Sequence, residues 1–485
     1  MASRRGMAQA EIGSRRANSV YETIRSGIKE RKWLPGGKLP SVREMGERME
    51  VHRLTVLKAY RQLAEEGIIE AKYKSGYYVK SHSMASSESL HAGDWDYKAR
   101  SLYVNRSRLS DIHRQQVDYQ MSEALIDPNL LPNAYLSNYV KQVFDLYPRV
   151  LSTYSTVLGD PELREELACF FLAKHGISVH PDELLITTGS QQAIDLVSRA
   201  LAKPGDKALI ERPTYSPAID AFHQQGITLL PVEIAPEGYD LDEVERFMKT
   251  ERPRLFYMNP TYQNPTGYTV PAAQRKRLVE LAEKYQCLLV EDDVYHDIYF
   301  GSPPPPPLFY YDTEGYVLYI RSFSKYVAPG LRISVLAARP ALMEAIAPVK
   351  ALSDNGTPLL NQKIFQHYFF STRLQEHVVK LRTALELRKT AMESQLADTG
   401  WHWASPEGGL NLWLRLPRDI PVDELLRRAL SRSIAFVPGS ICDPLGGMND
   451  RMRLSYSYLN EGKLAEGVHR LIAIADEIRV EHRFL

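Results

Sequence analysis

Apolar and polar positions divide the chain into two stretches with different rhythms. Along SVYETIRSGIKERK, Val20, Ile24 and Ile28 recur every four positions, which lines one face of a helix with apolar side chains. WLPGGKLPS then breaks the period with two prolines and a Gly-Gly pair. Ser41 can cap a second helix, SVREMGERM, and Glu44 three residues on completes a reciprocal capping box. After a turn at Glu50, Val51 and His52, the run RLTVLKAYRQLAEEG predicts a third helix closed by Gly67. IIEAKYKSGYYV reads as two β-branched and aromatic strands around Lys74, Ser75 and Gly76. Helix, helix-turn-helix and hairpin, over 19–80, is the order of a winged helix.

Residues 81–124 are polar, rich in Ser, Arg and Gln, and predict a long linker. From 125 to 345, helices such as PELREELACFFLAKHG alternate with short apolar strands: DELLITTG, KALIE, RLFYMNP, CLLVEDD and VLYIRS. That alternation predicts an α/β domain whose largely parallel sheet is wrapped by helices. Residues 346–485 add a long charged helix and two short strands, GGLNLWLRL and RMRLSYS, which predict a smaller α+β lobe. The run Pro303–Pro307 predicts a stiff surface loop between two strands.

Composition narrows the field. A chain of 485 residues with 44% hydrophobic and 25% charged residues is an ordinary globular protein of several domains. Nothing approaches 18 uninterrupted apolar residues, so no transmembrane helix is expected, and the start, MASRRGMAQAEIGSRR, has no apolar run of the signal-peptide kind. Cys169, Cys287 and Cys442 lie far apart, which indicates neither a disulfide framework nor a metal site. A cytoplasmic location fits. The net charge of +1 conceals an asymmetry: residues 1–80 carry 17 Lys and Arg against 9 Asp and Glu, a surplus that the remainder offsets. A basic head on a mildly acidic body suits phosphate-backbone binding by one end. Residues 1–18, with four of those arginines, are expected to be a disordered basic tail.

A helix that reads the major groove presents polar and basic side chains in its first turn, as His52, Arg53 and Thr55 would here. Arg43, at the start of the preceding helix, is placed to reach a phosphate or base edge, and Gly76 with Lys74 would let a wing tip approach the backbone. The residues Leu39-Pro40-Ser41, Arg43, VHRLTV, Ala59-Tyr60, Leu63, Glu66-Gly67 and Gly76 resemble the GntR-family winged helix-turn-helix. The resemblance implies DNA contact by Arg43, Arg53, Thr55 and Gly76. Two departures, His52 where Ser or Thr is usual and KSG where GSG is commoner, leave the operator sequence open.

In 127–460 several signatures follow one another: TTGSQQAID, RPTYSP, NPTYQNPTG, LLVEDDVYHD, RSFSKYVAPGLRIS and RMRLSYS. Together they resemble fold-type-I aminotransferases, which implies pyridoxal 5'-phosphate held by a Schiff base to Lys325. Gly189, Ser190 and Gln191 would offer a helix N-terminus to the phosphate, with Ser322, Ser324 and Arg332 completing the cup. Asp292 would pair with the protonated pyridine nitrogen; Asp293 is a neighbouring candidate, and the spacing to Tyr295 favours Asp292. Asn264 and Tyr295 would share the phenolic oxygen, and Tyr215 would stack on the ring. Tyr154 matches a tyrosine that reaches the neighbouring subunit's phosphate, and Arg453 matches an arginine that grips a carboxylate.

A GntR-type head, a linker and an aminotransferase-like body is the arrangement of the MocR/GabR regulators. It implies a transcription regulator that binds double-stranded operator DNA as a head-to-tail homodimer. It would sense an amine or amino-acid effector that exchanges with Lys325, Arg453 holding the effector's carboxylate. The residues leave two alternatives open: a working aminotransferase with a fused DNA-binding domain, and a regulator that answers to pyridoxal phosphate itself. Residual transamination fits the intact site better than a physiological enzyme does.

Overall fold

The computed structural model describes residues 18–28, 32–33, 37–66, 68–72, 76–79 and 108–483. They form two compact units. Of the positions singled out above, residues 1–17 of the expected tail, Gly67, Lys74, Ser75 and residues 81–107 of the expected linker lie outside the described residues.

The N-terminal unit has helices over 18–28, Val42–Arg48 and Arg53–Glu65, then an antiparallel hairpin of Ile69–Lys72 and Gly76–Val79. The four-residue stripe packs as its spacing requires: Val20 and Ile24 are fully buried and Ile28 partly, against Met45, Val56, Tyr60, Leu63, Ile69 and Val79. The capping box forms in both directions. Ser41 Oγ accepts from the Glu44 N–H at 3.2 Å, and the Glu44 carboxylate accepts from the Ser41 N–H at 2.7 Å. Tyr60 donates its hydroxyl to the Pro40 carbonyl at 2.8 Å, tying the third helix to the loop before the second.

The second unit is built on an eight-stranded sheet in the order Leu184–Thr187, Ser334–Ala337, Val317–Ser322, Leu288–Asp293, Leu255–Met258, Lys207–Arg212, Thr228–Ala235, Gly238–Tyr239. The five strands from Val317–Ser322 to Thr228–Ala235 are mutually parallel, while Ser334–Ala337 and the short Gly238–Tyr239 run antiparallel to their neighbours. Every residue of Leu255–Met258, Leu288–Asp293 and Val317–Ser322 is buried, as befits central strands covered on both faces. A smaller three-stranded sheet joins Asn411–Arg415, Arg451–Ser455 and Val437–Pro438, and the long helices Thr372–Leu396 and Glu461–Arg483 pack on each other. No helix among the described residues is long and apolar enough to cross a membrane.

Two expected boundaries move. The linker was expected to run from 81 to 124, yet Arg108–His113 is a helix that buries Leu109 and Ile112, and Tyr119–Gln120 pairs in parallel with Ile434–Ala435. Residues 108–124 therefore belong to the body. The expected division at 345 and 346 falls inside the helix Pro340–Asp354, whose Met343 and Ile346 pack into the core of the large sheet. The Pro303–Pro307 run lies between strands as expected, anchored by the fully buried Arg275, which donates to the Pro306 carbonyl at 3.2 Å.

Candidate functional site

In the N-terminal unit the third helix starts at His52, whose Nδ1 accepts from the Leu54 N–H at 3.3 Å. The imidazole thus does the capping work of the usual Ser or Thr hydroxyl, which gives the departure at this position a physical basis. Val56, Ala59 and Tyr60 turn inward, leaving Arg53 and Leu54 exposed in the first turn and Thr55 half-buried. Arg43 is exposed and paired with Glu47 at 3.1 Å, a surface ion pair weak enough for a phosphate to replace. Gly76 has φ 111°, a conformation that favours glycine, where the hairpin resumes its ladder opposite Lys72.

In the second unit a cavity of about 360 Å³ is lined by Ser190, Gln191, Tyr215, Asn264, Asp292, Tyr295, Ser322, Ser324, Lys325, Arg332 and Arg453. These are residues that sequence reasoning singled out from six separate segments. The strand Leu288–Asp293 supplies Asp292. Neighbours on a strand point to opposite faces, so Asp293 turns away and bonds His296 at 2.7 Å, Tyr319 at 2.9 Å and Arg321 at 3.2 Å. That alternation separates the two candidates. Asp292 Oδ2 accepts from the Tyr257 hydroxyl at 2.7 Å, while its buried Oδ1 has no partner. Burial pushes the Asp292 carboxyl up to about 7 despite the Tyr257 bond.

Gly189 precedes the helix Ser190–Leu201 with φ 84°, and a Cβ there would lie 2.4 Å from Arg332 Nη2. The glycine is what lets the guanidinium lie against the helix start, where free N–H groups attract anions. Arg332 is held by a bond to the Thr188 carbonyl at 3.3 Å, and Ser322 accepts from Ser334 at 3.1 Å. Gly189→Ala should therefore displace Arg332 and weaken phosphate binding about tenfold or more, the cost of disturbing one charge-assisted contact. A titration with inorganic phosphate or a phosphate ester, compared with the parent, checks this.

Lys325 Nζ donates to the Ala124 carbonyl at 2.8 Å. Burial, then the positive charges of Arg453 and Arg332, lower its pKa to about 8. Arg453 lies on Arg451–Ser455, opposite Trp413 and Val437, and is almost fully buried. It donates Nη1 to Asn264 Oδ1 at 2.9 Å and Nη2 to the Ser122 carbonyl. Tyr154 stands apart: it is 88% exposed and does not line the cavity.

Sequence reasoning missed four contributors. Tyr257 sits on the strand beside Asp292, and Asn259, the first asparagine of NPTYQNPTG, donates to the Asp292 carbonyl and accepts from the Asn264 N–H at 2.8 Å. His113 and Glu123 line the cavity from the segment read as linker. The signal for them was faint: Leu109 and Ile112 at helical spacing, then a short alternating run, VDYQMS.

Comparison with known proteins places both parts of the chain in families. The profile of the family "Aminotransferase class I and II" matches residues 134–471, and that of "Bacterial regulatory proteins, gntR family" matches residues 16–79. A 2-aminoadipate transaminase of Thermus thermophilus is 37% identical over 71% of this chain and 86% of its own length. An uncharacterized HTH-type transcriptional regulator of Bacillus subtilis, YisV, is 30% identical over 93% of both chains. The crystal structure of LysN, an α-aminoadipate aminotransferase of Thermus thermophilus complexed with N-(5'-phosphopyridoxyl)-L-leucine, superposes with a TM-score of 0.74 at 33% identity, covering 80% of this chain and 99% of that one. The chain belongs to the aminotransferase class I and II family and carries a gntR-family DNA-binding domain ahead of it, the domain composition of the MocR/GabR-type regulators.

Proposed function

We propose that the protein is a pyridoxal phosphate-dependent transcription regulator that converts capture of an amine or amino acid into a change in operator binding. The observation that carries this reading is a partly buried lysine, Lys325, sharing a cavity with an unpartnered carboxylate oxygen of Asp292, in a chain that also bears a DNA-binding head. The residues fit the cofactor. Asp292 Oδ1 needs a proton donor and would take a pyridinium N–H; Arg332, Ser322, Ser324 and the start of Ser190–Leu201 would take the phosphate. Pyridoxal phosphate supplies an aldehyde that captures amines and a ring that withdraws electrons.

Lys325, half of it neutral near pH 8, would supply the amine that holds the cofactor and gives way to an effector's amine. Arg453, kept in place by Asn264, would hold the effector's carboxylate. Asn264 and Tyr295 would orient the cofactor's phenolic oxygen, and Tyr215 would cover the ring. In a head-to-tail homodimer, the exposed Tyr154 would complete the partner's phosphate cup. His52, Arg53 and Thr55 would read the operator, with Arg43, Lys74 and Gly76 at its backbone. Coupling between the two ends is limited to the difference in effector affinity between two conformations.

A second reading, a working aminotransferase with a fused head, is favoured by the transaminase relatives; sustained keto-acid formation at turnover rates would support it. The regulator reading is tested by measuring operator affinity with and without effector. In Arg53→Ala, operator binding should fall about tenfold to a hundredfold, the worth of one base contact, with pyridoxal phosphate binding unchanged. Equal operator binding by parent and variant would remove Arg53 from the DNA interface.

A further inference from the structure

On the reading above the phosphate meets Arg332, which lines the cavity but is itself exposed. An exposed arginine samples many rotamers unless something holds it. Here its Nη2 donates to the Thr188 carbonyl at 3.3 Å, so the aim of the guanidinium follows the setting of the Thr188 main chain.

That main chain is held from behind. The Thr188 N–H donates to Gln192 Oε1 at 2.7 Å. Gln192 is oriented in turn: its Nε2 donates to the Asp354 carboxylate at 2.6 Å, and its Oε1 also accepts from Lys350 Nζ at 3.2 Å. Lys350, fully buried on the helix Pro340–Asp354, has three N–H donors. Besides Gln192 they meet the Asp354 carboxylate at 2.7 Å and the Thr357 hydroxyl at 3.3 Å. That hydroxyl donates onward to the Ile186 carbonyl at 3.0 Å. Lys350 thus reaches the chain ahead of Ser190–Leu201 at two points, Ile186 and Thr188. Burial lowers the pKa of this lysine, with Asp354 acting against the fall. A buried ammonium is a costly way to fill space, and an apolar side chain of similar volume would serve packing as well or better. What the lysine adds is direction: every donor and acceptor in the chain from Asp354 to Thr188 is fixed by its neighbour.

We propose that Lys350 and Gln192 are positioning residues for the phosphate, fixing Thr188 and through it Arg332. The inference rests on the assignment of Arg332 to the phosphate given above.

The test titrates full-length apoprotein with pyridoxal 5'-phosphate and with pyridoxal, which lacks the phosphate, following the visible absorbance of each. Lys350→Met and Gln192→Leu should each weaken pyridoxal phosphate about tenfold and leave pyridoxal as in the parent. In an Arg332→Gln background neither substitution should cost more than about twofold further, because the residue they act through is gone. An equal loss for both ligands, no loss for either, or a further tenfold loss without Arg332 overturns the inference and leaves the cofactor reading intact. Should Lys350→Met fail to fold, Gln192→Leu, at a half-buried position, decides the matter. If the parent binds the two ligands equally, the phosphate assignment itself fails and takes this inference with it.

Discussion

Lys325→Ala is expected to bind pyridoxal phosphate only reversibly and to bind operator the same with or without effector. Lys325 is the only lysine lining the cavity among the described residues, and its lowered pKa keeps a substantial neutral fraction near physiological pH. Borohydride treatment should fix the cofactor to the parent chain at position 325 and to nothing in the variant, as peptide mass spectrometry would report. The substitution removes one hydrogen bond, to Ala124, worth about 1 to 3 kcal/mol, so the fold should persist. The pH dependence follows from the lysine. Cofactor capture by the parent apoprotein should speed up as pH rises toward about 8 and level off above it, once the amine is mostly neutral. If Lys325→Ala still responded to its effector like the parent, amine exchange would play no part in signalling.

Asp292→Asn is expected to lower cofactor affinity about a hundredfold, close to 2.7 kcal/mol, because a neutral amide no longer balances a protonated ring nitrogen. Tyr257 can keep its bond to the side chain, so the loss isolates the charge. The apoprotein should respond in the opposite sense. A carboxyl whose folded pKa is raised to about 7 by burial weighs against the folded state as pH climbs from its unfolded value of about 4 through 7. The variant lacks that titration. Its melting temperature relative to the parent should therefore rise across this window and stay constant above it, which thermal melts at pH 4, 6 and 8 of cofactor-free protein would measure. Unchanged cofactor affinity would mean that the ring nitrogen does not meet Asp292.

Much of this was legible in the chain because the chemistry concentrates charged and polar residues at the ends of apolar strands. Asp292 and Lys325 each close or follow such a run, Arg453 lies in the middle of the strand Arg451–Ser455, and the cavity brings the three together. The choice between Asp292 and Asp293 was harder, since both close LLVEDD; spacing favoured the first, and strand alternation supplies the reason. In the head, the stripe of Val20 and Ile24 and the Ser41–Glu44 capping box were strong local signals, and both form. What escaped was the segment 108–124. Its helix has six residues and buries only Leu109 and Ile112, too little period to stand out from a polar stretch. Its place is set by tertiary contacts, the pairing of Tyr119 with Ile434 and the bonds of Ser122 and Ala124, which no local pattern announces. The division between lobes was misplaced for a related reason: Pro340–Asp354 is continuous, and only its packing on the sheet assigns it to the larger lobe.

The carbonyls of Ser122 and Ala124 already bond the two groups that ligand and cofactor would need, the Arg453 guanidinium and the Lys325 amine. An incoming molecule is then a displacer of main chain, and a measured Kd reports a swap of one set of hydrogen bonds for another. Such a cleft discriminates by subtraction. Molecules that engage only one of the two groups would gain too little to dislodge the peptide, so weak partial mimics should be excluded more sharply than their contacts alone would suggest.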